Sequence, residues 1–240
     1  MNQSTGNNDP PCALVSAVAA TRHHVNTNER GLMARTISIG AQGFEDIRST
    51  GCFYVDKTGF VRDWWLAGDA VTLVCRPRRF GKTLNLDTVR CFLSTEYAGR
   101  GEELFGGLDV WEGGEPRQRE EMRALQGTVP VVALSLARVK QGSFEQMLRR
   151  IEHIMVAAAR AHAYLDDWDG LTDTDRAALS SVREGMGAER YADVPNMLCG
   201  LLRRFHGVRP VVLLDEYGAP IEAAWTGGYR DEAGAAATRS

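Results

Sequence analysis

Gly81-Lys82-Thr83 and Asp215-Glu216 are the two groups of residues in this chain whose types and setting equip them for chemistry. The first follows Val71-Thr72-Leu73-Val74-Cys75, an almost wholly apolar, β-favouring run, through the loop Arg76-Pro77-Arg78-Arg79-Phe80, and it precedes a helical pattern. Strand, turn and helix in that order make a phosphate cradle. Glycine permits the backbone angles that aim N–H groups into a concavity, and the following helix adds about half a unit of positive charge there. In such a cradle Lys82 reaches the terminal phosphates and the Thr83 hydroxyl enters the coordination shell of Mg²⁺. The full pattern G-x-x-x-x-G-K-[ST] is not met, because its first glycine position holds Arg76, kept extended by Pro77.

Asp215-Glu216 closes the run Val211-Val212-Leu213-Leu214, 132 residues beyond Thr83. That sets one carboxylate at the mouth of a buried strand and a second beside it. Open parallel sheets bind their ligands at the carboxyl ends of the strands. In phosphate-loop ATPases, which such a pair resembles, the first acid helps hold Mg²⁺ and the second orients or deprotonates an attacking water. Taken singly, each motif reads as ordinary surface chemistry: a basic turn, or a strand exit decorated with solvated acids. Together, in this order and each on a strand, they point to a nucleotide site.

The rest of the chain must position these groups. Residues 1–34, rich in Asn, Thr, Ser and small side chains without a sustained period, are expected to form a flexible tail. Ile37-Ser38-Ile39 and Phe53-Tyr54-Val55 read as short extended pieces. Thr58–Ala67 predicts a helix that Gly68 can end. From Thr83 to about Tyr97, the residues Leu84, Leu86, Val89, Phe92 and Leu93 predict the helix behind the cradle. Residues 98–128 read as a long connection with a short helix near Arg117–Leu125. Val129–Leu136 predicts a second buried strand, with Pro130 at its start where a missing N–H does least harm. Ser143 to about Leu165 is the clearest helix, opened by a Ser143/Gln146 capping-box pattern. Further helices are expected at Thr174–Glu184 and Asp193–His206, the latter ended by Gly207. Strands alternating with amphipathic helices predict an α/β fold with a parallel sheet.

Composition narrows the function classes. With 44% hydrophobic residues and 25% charged, the 240-residue chain matches an average globular protein and not a disordered one. Its 28 basic and 31 acidic residues leave a net charge of −3, so no bulk polycation suggests general nucleic-acid binding. No run approaches the ~18 apolar residues of a membrane span, and Ala13–Ala20 lacks the basic flank of a secretory signal. A soluble, cytoplasmic protein is the expectation. The cysteines at 12, 52, 75, 91 and 199 are scattered without a C-x-x-C pair, which argues against zinc knuckles and disulfide frameworks.

Four segments also carry a family resemblance. Phe44–Thr58 (with Tyr54-Val55-Asp56-Lys57-Thr58), the loop Arg76–Thr83, Leu104-Phe105-Gly106-Gly107-Leu108 and Leu214-Asp215-Glu216-Tyr217 resemble the AAA-ATPase-like domain of bacterial and archaeal proteins. In those proteins it usually precedes a PD-(D/E)XK nuclease-like domain. The resemblance runs from about Ile37 to Tyr229, and an arginine-rich loop in place of the first glycine is distinctive of it. It implies a P-loop NTPase-type (AAA/ASCE-like) parallel sheet over residues 35–230, with tails at 1–34 and 231–240, and ATP and Mg²⁺ as cofactors. By position it implies nucleotide contacts from Arg78, Arg79, Phe80, Gly81, Lys82, Thr83 and Leu84. Lys82 and Glu216 would then be the catalytic groups, and Thr83 and Asp215 the metal ligands.

The chain also departs from the family. Relatives usually have an Asp after the Glu-Tyr pair, where this chain has Gly218. In AAA-like ATPases the strand order resembles 5-1-4-3-2, so a further strand separates the one before the phosphate loop from the one carrying the acids. Nothing beyond Ile221 reads as a strand, so that strand, an arginine-bearing lid and a nuclease domain are expected to be missing and the sheet truncated. The alternative to an ATPase is therefore a non-catalytic nucleotide-binding or interaction module that needs a partner chain or a second copy of itself.

Other signals carry less. Arg76, Arg78, Arg79 and Lys82 form a basic patch, but aromatic interleaving is limited to Phe80, which weighs against nucleic acid. Asp166-Asp167-Trp168-Asp169-Gly170 fails the calcium-loop pattern at both ends. His153 and His162 lie on opposite faces of one helix and cannot share a metal. Trp64 and Trp65 read as core, and the stretch Tyr54–Trp65 is a candidate to pack near a nucleotide base by analogy with related ATPases.

Overall fold

The computed structural model describes residues 14–15 (backbone only), 43–75 and 80–231. Four strands, β1 (Leu14–Val15), β2 (Val71–Thr72), β3 (Val131–Ser135) and β4 (Val211–Asp215), form one parallel sheet in the order β2-β1-β4-β3. The helices are α1 (Phe44–Ser49), α2 (Gly59–Ala67), α3 (Lys82–Leu93), α4 (Gly101–Phe105), α5 (Asp109–Glu112), α6 (Pro116–Leu125), α7 (Phe144–Ala161), α8 (Asp173–Glu184), α9 (Val194–His206) and α10 (Ala219–Thr226). None of the described helices is long and apolar enough to cross a membrane. The expected α/β class with a parallel sheet is what these elements make.

Alternation along β3 and β4 assigns each face of the sheet its own helices. Val131, Val211 and Leu213 join a core cluster with α3 and the helices α1, α2, α4, α5 and α6. Val132, Leu134 and Val212 join a second cluster with α7, α8 and α9. Their pairing, Val131↔Val211 through Ser135↔Asp215, is continuous.

β2 behaves differently. Its apolar run predicts a strand over residues 71–75, but the ladder covers only Val71–Thr72. Val74 turns inward at 8% exposure while Val71 and Leu73 lie 60% and 52% exposed. Among the described helices, α2 and α3 cover only one face of this run.

Other expectations shift in physically legible ways. The helix behind the cradle ends at Leu93, because Ser94 turns extended and its hydroxyl accepts from the Glu96 N–H to open a 3₁₀ turn over Thr95–Tyr97. Residues 98–128 hold three short helices, α4, α5 and α6, whose residues Leu104, Phe105, Val110 and Met122 are buried. α7 keeps its Ser143 cap but stops at Ala161. Phe53-Tyr54-Val55 lies in an irregular segment, and α10, opened by Pro220 in its first turn, is an element that the sequence did not signal. Ile37-Ser38-Ile39 falls outside the described residues.

β2, which precedes the Gly81-Lys82-Thr83 turn, and the acid-bearing strand β4 do not pair with each other. The place between them is not empty, however. β1 lies there, in parallel register Leu14↔Val71 and Leu14↔Val212. These two residues lie inside the 1–34 stretch read as a tail, and a two-residue strand is too short to give a periodic signal.

Candidate functional site

Gly81 adopts φ +76° and caps the N-terminus of α3, the left-handed conformation that glycine takes without steric cost. Lys82 and Thr83 then occupy the first turn of the helix, where the backbone N–H groups and the helix dipole favour an anion. β4 carries Asp215 to its carboxyl end, 8% exposed, with its backbone carbonyl accepting from the Leu136 N–H at 2.9 Å.

These two motifs meet. The Thr83 hydroxyl donates to Asp215 Oδ2 at 3.0 Å, across 132 residues of chain. The contact requires α3 to pack beneath β4, and Leu86, Val89 and Leu213 share one core cluster there. A hydroxyl and a carboxylate held this close at the end of a parallel strand form a hard-oxygen pair suited to a divalent cation.

Glu216, the next residue, has φ +51°, the one positive φ among the described non-glycine residues. Left-handed backbone costs an L-residue about 1–2 kcal/mol. Strain of this kind persists where the surroundings over-determine the turn, and it clusters at functional positions. The turn is closed by the Ala219 N–H, which donates to the Glu216 carbonyl at 2.9 Å. Glu216 itself is half-buried.

The remaining expected nucleotide contacts divide. Phe80 is 54% exposed beside the loop, and Leu84 turns its side chain against the core. Arg78 and Arg79 lie outside the described residues. Trp64 and Trp65 pack against the core, and the Trp64 Nε1–H donates to Thr72 Oγ1 at 3.1 Å, tying α2 to β2. Tyr54 is largely buried, which pushes its hydroxyl pKa up to about 12.

Two of the resemblance-bearing segments clasp each other. Asp56 accepts through Oδ1 from the Thr58 N–H and through Oδ2 from the Asp109 N–H, while Thr58 Oγ1 accepts from the Val110 N–H at 3.0 Å. They thereby satisfy donors at the start of α5. Arg48 donates to the carbonyls of Leu104 and Gly106 at 2.6 and 2.9 Å. Sequence reasoning missed these roles. The signal available was a run of small polar residues before a helix, which reads as a cap. Among the described residues no group of three or more His, Cys, Asp or Glu is placed to hold a metal ion.

Fold and site together define an α/β protein built on a small parallel sheet, with a glycine-capped helix N-terminus facing a strand-end acid. The chain belongs to the AAA-ATPase-like family, described as predicted AAA-ATPases, whose model matches residues 38–238. It is 30% identical over 191 residues to a protein of Azotobacter chroococcum mcd 1 known as "Uncharacterized protein in vnfD 5'region". That match covers 78% of this chain and 30% of the relative, so the chain spans under a third of the relative's length. No solved structure matches the chain.

Proposed function

We propose that this chain binds ATP and, with Mg²⁺, hydrolyses it. The observation that carries the reading is the hydrogen bond from Thr83 to Asp215, which brings two motifs 132 residues apart onto one site. Membership of a family described as predicted AAA-ATPases supports nucleotide use.

In this reading the first-turn N–H groups of α3 and the Lys82 ammonium neutralise the β- and γ-phosphates. Thr83 and Asp215 are the residues that would hold Mg²⁺, which when bound draws charge from the phosphate oxygens. Glu216 accepts the proton of the attacking water, and its unusual backbone conformation sets where its carboxylate points. Phe80, exposed beside the loop, and the neighbouring Arg78 and Arg79 are proposed as further nucleotide contacts.

A second reading is a nucleotide-binding module that turns over only with a partner chain or a second copy. The exposure of Val71 and Leu73 favours it, because among the described residues no helix covers that face of the strand feeding the phosphate loop. Equilibrium ATP binding measured beside turnover tests both. Lys82→Ala is expected to abolish binding, and Glu216→Gln to keep binding while turnover falls at least about a hundredfold. ATP bound equally well by Lys82→Ala and the parent would end the first reading, and binding without turnover at any enzyme concentration would favour the second.

A further inference from the structure

A cavity of about 500 Å³ lies beside the outer edge of β3. Its strand residues are Val131 and Ala133, which pair with Val211 and Leu213, while Ser135 pairs with Asp215. Ala133 is two residues of strand from Ser135, roughly 7 Å, and none of Lys82, Thr83, Asp215 and Glu216 lines the cavity. The cavity is therefore distinct from the triphosphate site.

The orientation of β3 follows from its hydrogen bonds. The Val211 N–H donates to the Pro130 carbonyl and the Leu136 N–H to the Asp215 carbonyl, so even-numbered residues face β4. The Val129 N–H donates outward, to the Leu93 carbonyl. The chain at 92–94 thus begins an outer ladder on this edge and leaves it at the Thr95 turn. Beyond Val129 the outward backbone groups are those of Val131, a buried residue, and then of Ala133, an exposed one; both line the cavity. One adjacent donor and acceptor are presented there on a rigid strand.

The walls suit a flat ring. Ala133, Ala158 and Ala161 contribute only methyl-sized side chains to the lining, and Tyr164, Phe205 and His206 add aromatic surface. Tyr164 and Phe205 have centroids 5.4 Å apart, and Phe205 and His206 4.8 Å, so the wall is itself a packed aromatic group. Its polar edges are tied. His162 Nδ1 lies 3.3 Å from the Tyr164 hydroxyl, which lies 2.9 Å from His206 Nε2. On the opposite rim Arg90 is matched by Asp87 at 2.8 Å and Glu96 at 3.2 Å. No unmatched charge calls for an ion.

We propose that this cavity binds a planar, uncharged heteroaromatic ring with an N–H donor and an acceptor side by side on one edge, the chemistry of a nucleobase. The ring lies over the alanine side chains against Tyr164 and Phe205, and its edge pairs with the Ala133 backbone. The site is separate from the proposed triphosphate site and does not depend on it.

The test uses adenosine and guanosine, which carry no phosphate, titrated into the full chain by calorimetry and saturation-transfer NMR. At least one is expected to bind with Kd below about 1 mM. Ala161→Trp, an enlargement at an exposed helix end that narrows the cavity, is expected to weaken that binding at least about tenfold. Blocking the ring donor, as in 1-methylguanosine or N6,N6-dimethyladenosine, is expected to weaken it about fivefold. Lys82→Ala should leave it unchanged. Failure of both nucleosides to bind at about 5 mM would overturn the proposal. So would binding that survives Ala161→Trp but not Lys82→Ala, which would put the base at the phosphate loop. Equal binding of the donor-blocked analogues would overturn the edge pairing. ATP binding is scored separately, so either proposal can fail without the other.

Discussion

Val211–Leu214, wholly apolar, and Val71–Cys75, apolar but for Thr72, both feed a chemically equipped turn, yet among the described residues only the first is covered on both faces. In β4, Val211, Val212 and Leu213 are 4%, 7% and 3% exposed, held between α3 on one side and α7 to α9 on the other. In the β2 run, α2 and α3 cover the face of Val74 and nothing described covers Val71 and Leu73. An apolar run says that a strand is favourable; how many of its faces are buried depends on how far the helices of neighbouring units reach. The acids therefore stand on the firmly packed half of the molecule, and the phosphate loop leaves the thinly packed half.

Truncating one leucine in each half should expose this contrast most strongly. Leu213→Ala removes a 3% exposed side chain from the main cluster and is expected to cost about 2–5 kcal/mol. Leu73→Ala removes a half-exposed one and should cost under about 0.5 kcal/mol. Urea unfolding of the two variants measures both. Equal costs would mean that the outer face of β2 is covered in solution, and a concentration dependence of the Leu73→Ala effect would identify a second copy as the cover.

The next largest effect belongs to the packed half alone. His162 is buried at 8% exposure, and burial, reinforced by the neighbouring His206, lowers its pKa from an ordinary 6.5 to about 4. The folded protein thus resists a proton that the unfolded chain accepts. Stability is full above pH 6.5 and falls as pH drops from 6.5 towards 4, by on the order of 3 kcal/mol from this group. His162→Gln, which cannot titrate, should flatten that part of the pH–stability curve. Parallel curves for parent and variant between pH 7 and 4 would show that His162 ionises freely in the native state.

Much of this architecture is legible from local pattern, and what is not fails for identifiable reasons. The strands before both motifs, α2 with its Gly68 stop, α7 with its Ser143 cap and α9 with its Gly207 stop follow from periodicity and capping residues. The two motifs, each at the end of a strand, suggested a shared site, and Thr83 and Asp215 lie 3.0 Å apart. The clasp of Asp56 and Thr58 on the start of α5 is a contact over more than fifty residues, and no local pattern encodes its partner. β1 is two residues long, below any period. The left-handed Glu216 is set by the turn into α10, not by the intrinsic preference of glutamate.

Where packing is thin, a single polar contact should weigh more. The Trp64 Nε1–H to Thr72 Oγ1 bond joins α2 to β2, so Trp64→Phe is expected to destabilise by about 1 kcal/mol. Thr72→Val should cost a similar amount, and the double variant less than the sum, with a coupling of about 0.5–1.5 kcal/mol. Additive losses would mean that the indole holds β2 through ring packing alone.

The smallest expected effect lies at the end of the packed half, where stability and chemistry point in opposite directions. Glu216→Gly removes a side chain from a φ of +51° that glycine occupies freely, which gains about 1–2 kcal/mol of relieved strain. The same change loosens the unfolded chain, which returns about 0.5–1 kcal/mol. Net stability should therefore rise by up to about 1 kcal/mol, while Glu216→Ala keeps the strain and should not gain. If the residue accepts the water proton, both variants lose turnover, and only the glycine variant is the more stable of the pair. A glycine variant less stable than the alanine one would show that the left-handed turn carries no strain, and that the conformation of Glu216 is no sign of a constrained functional position.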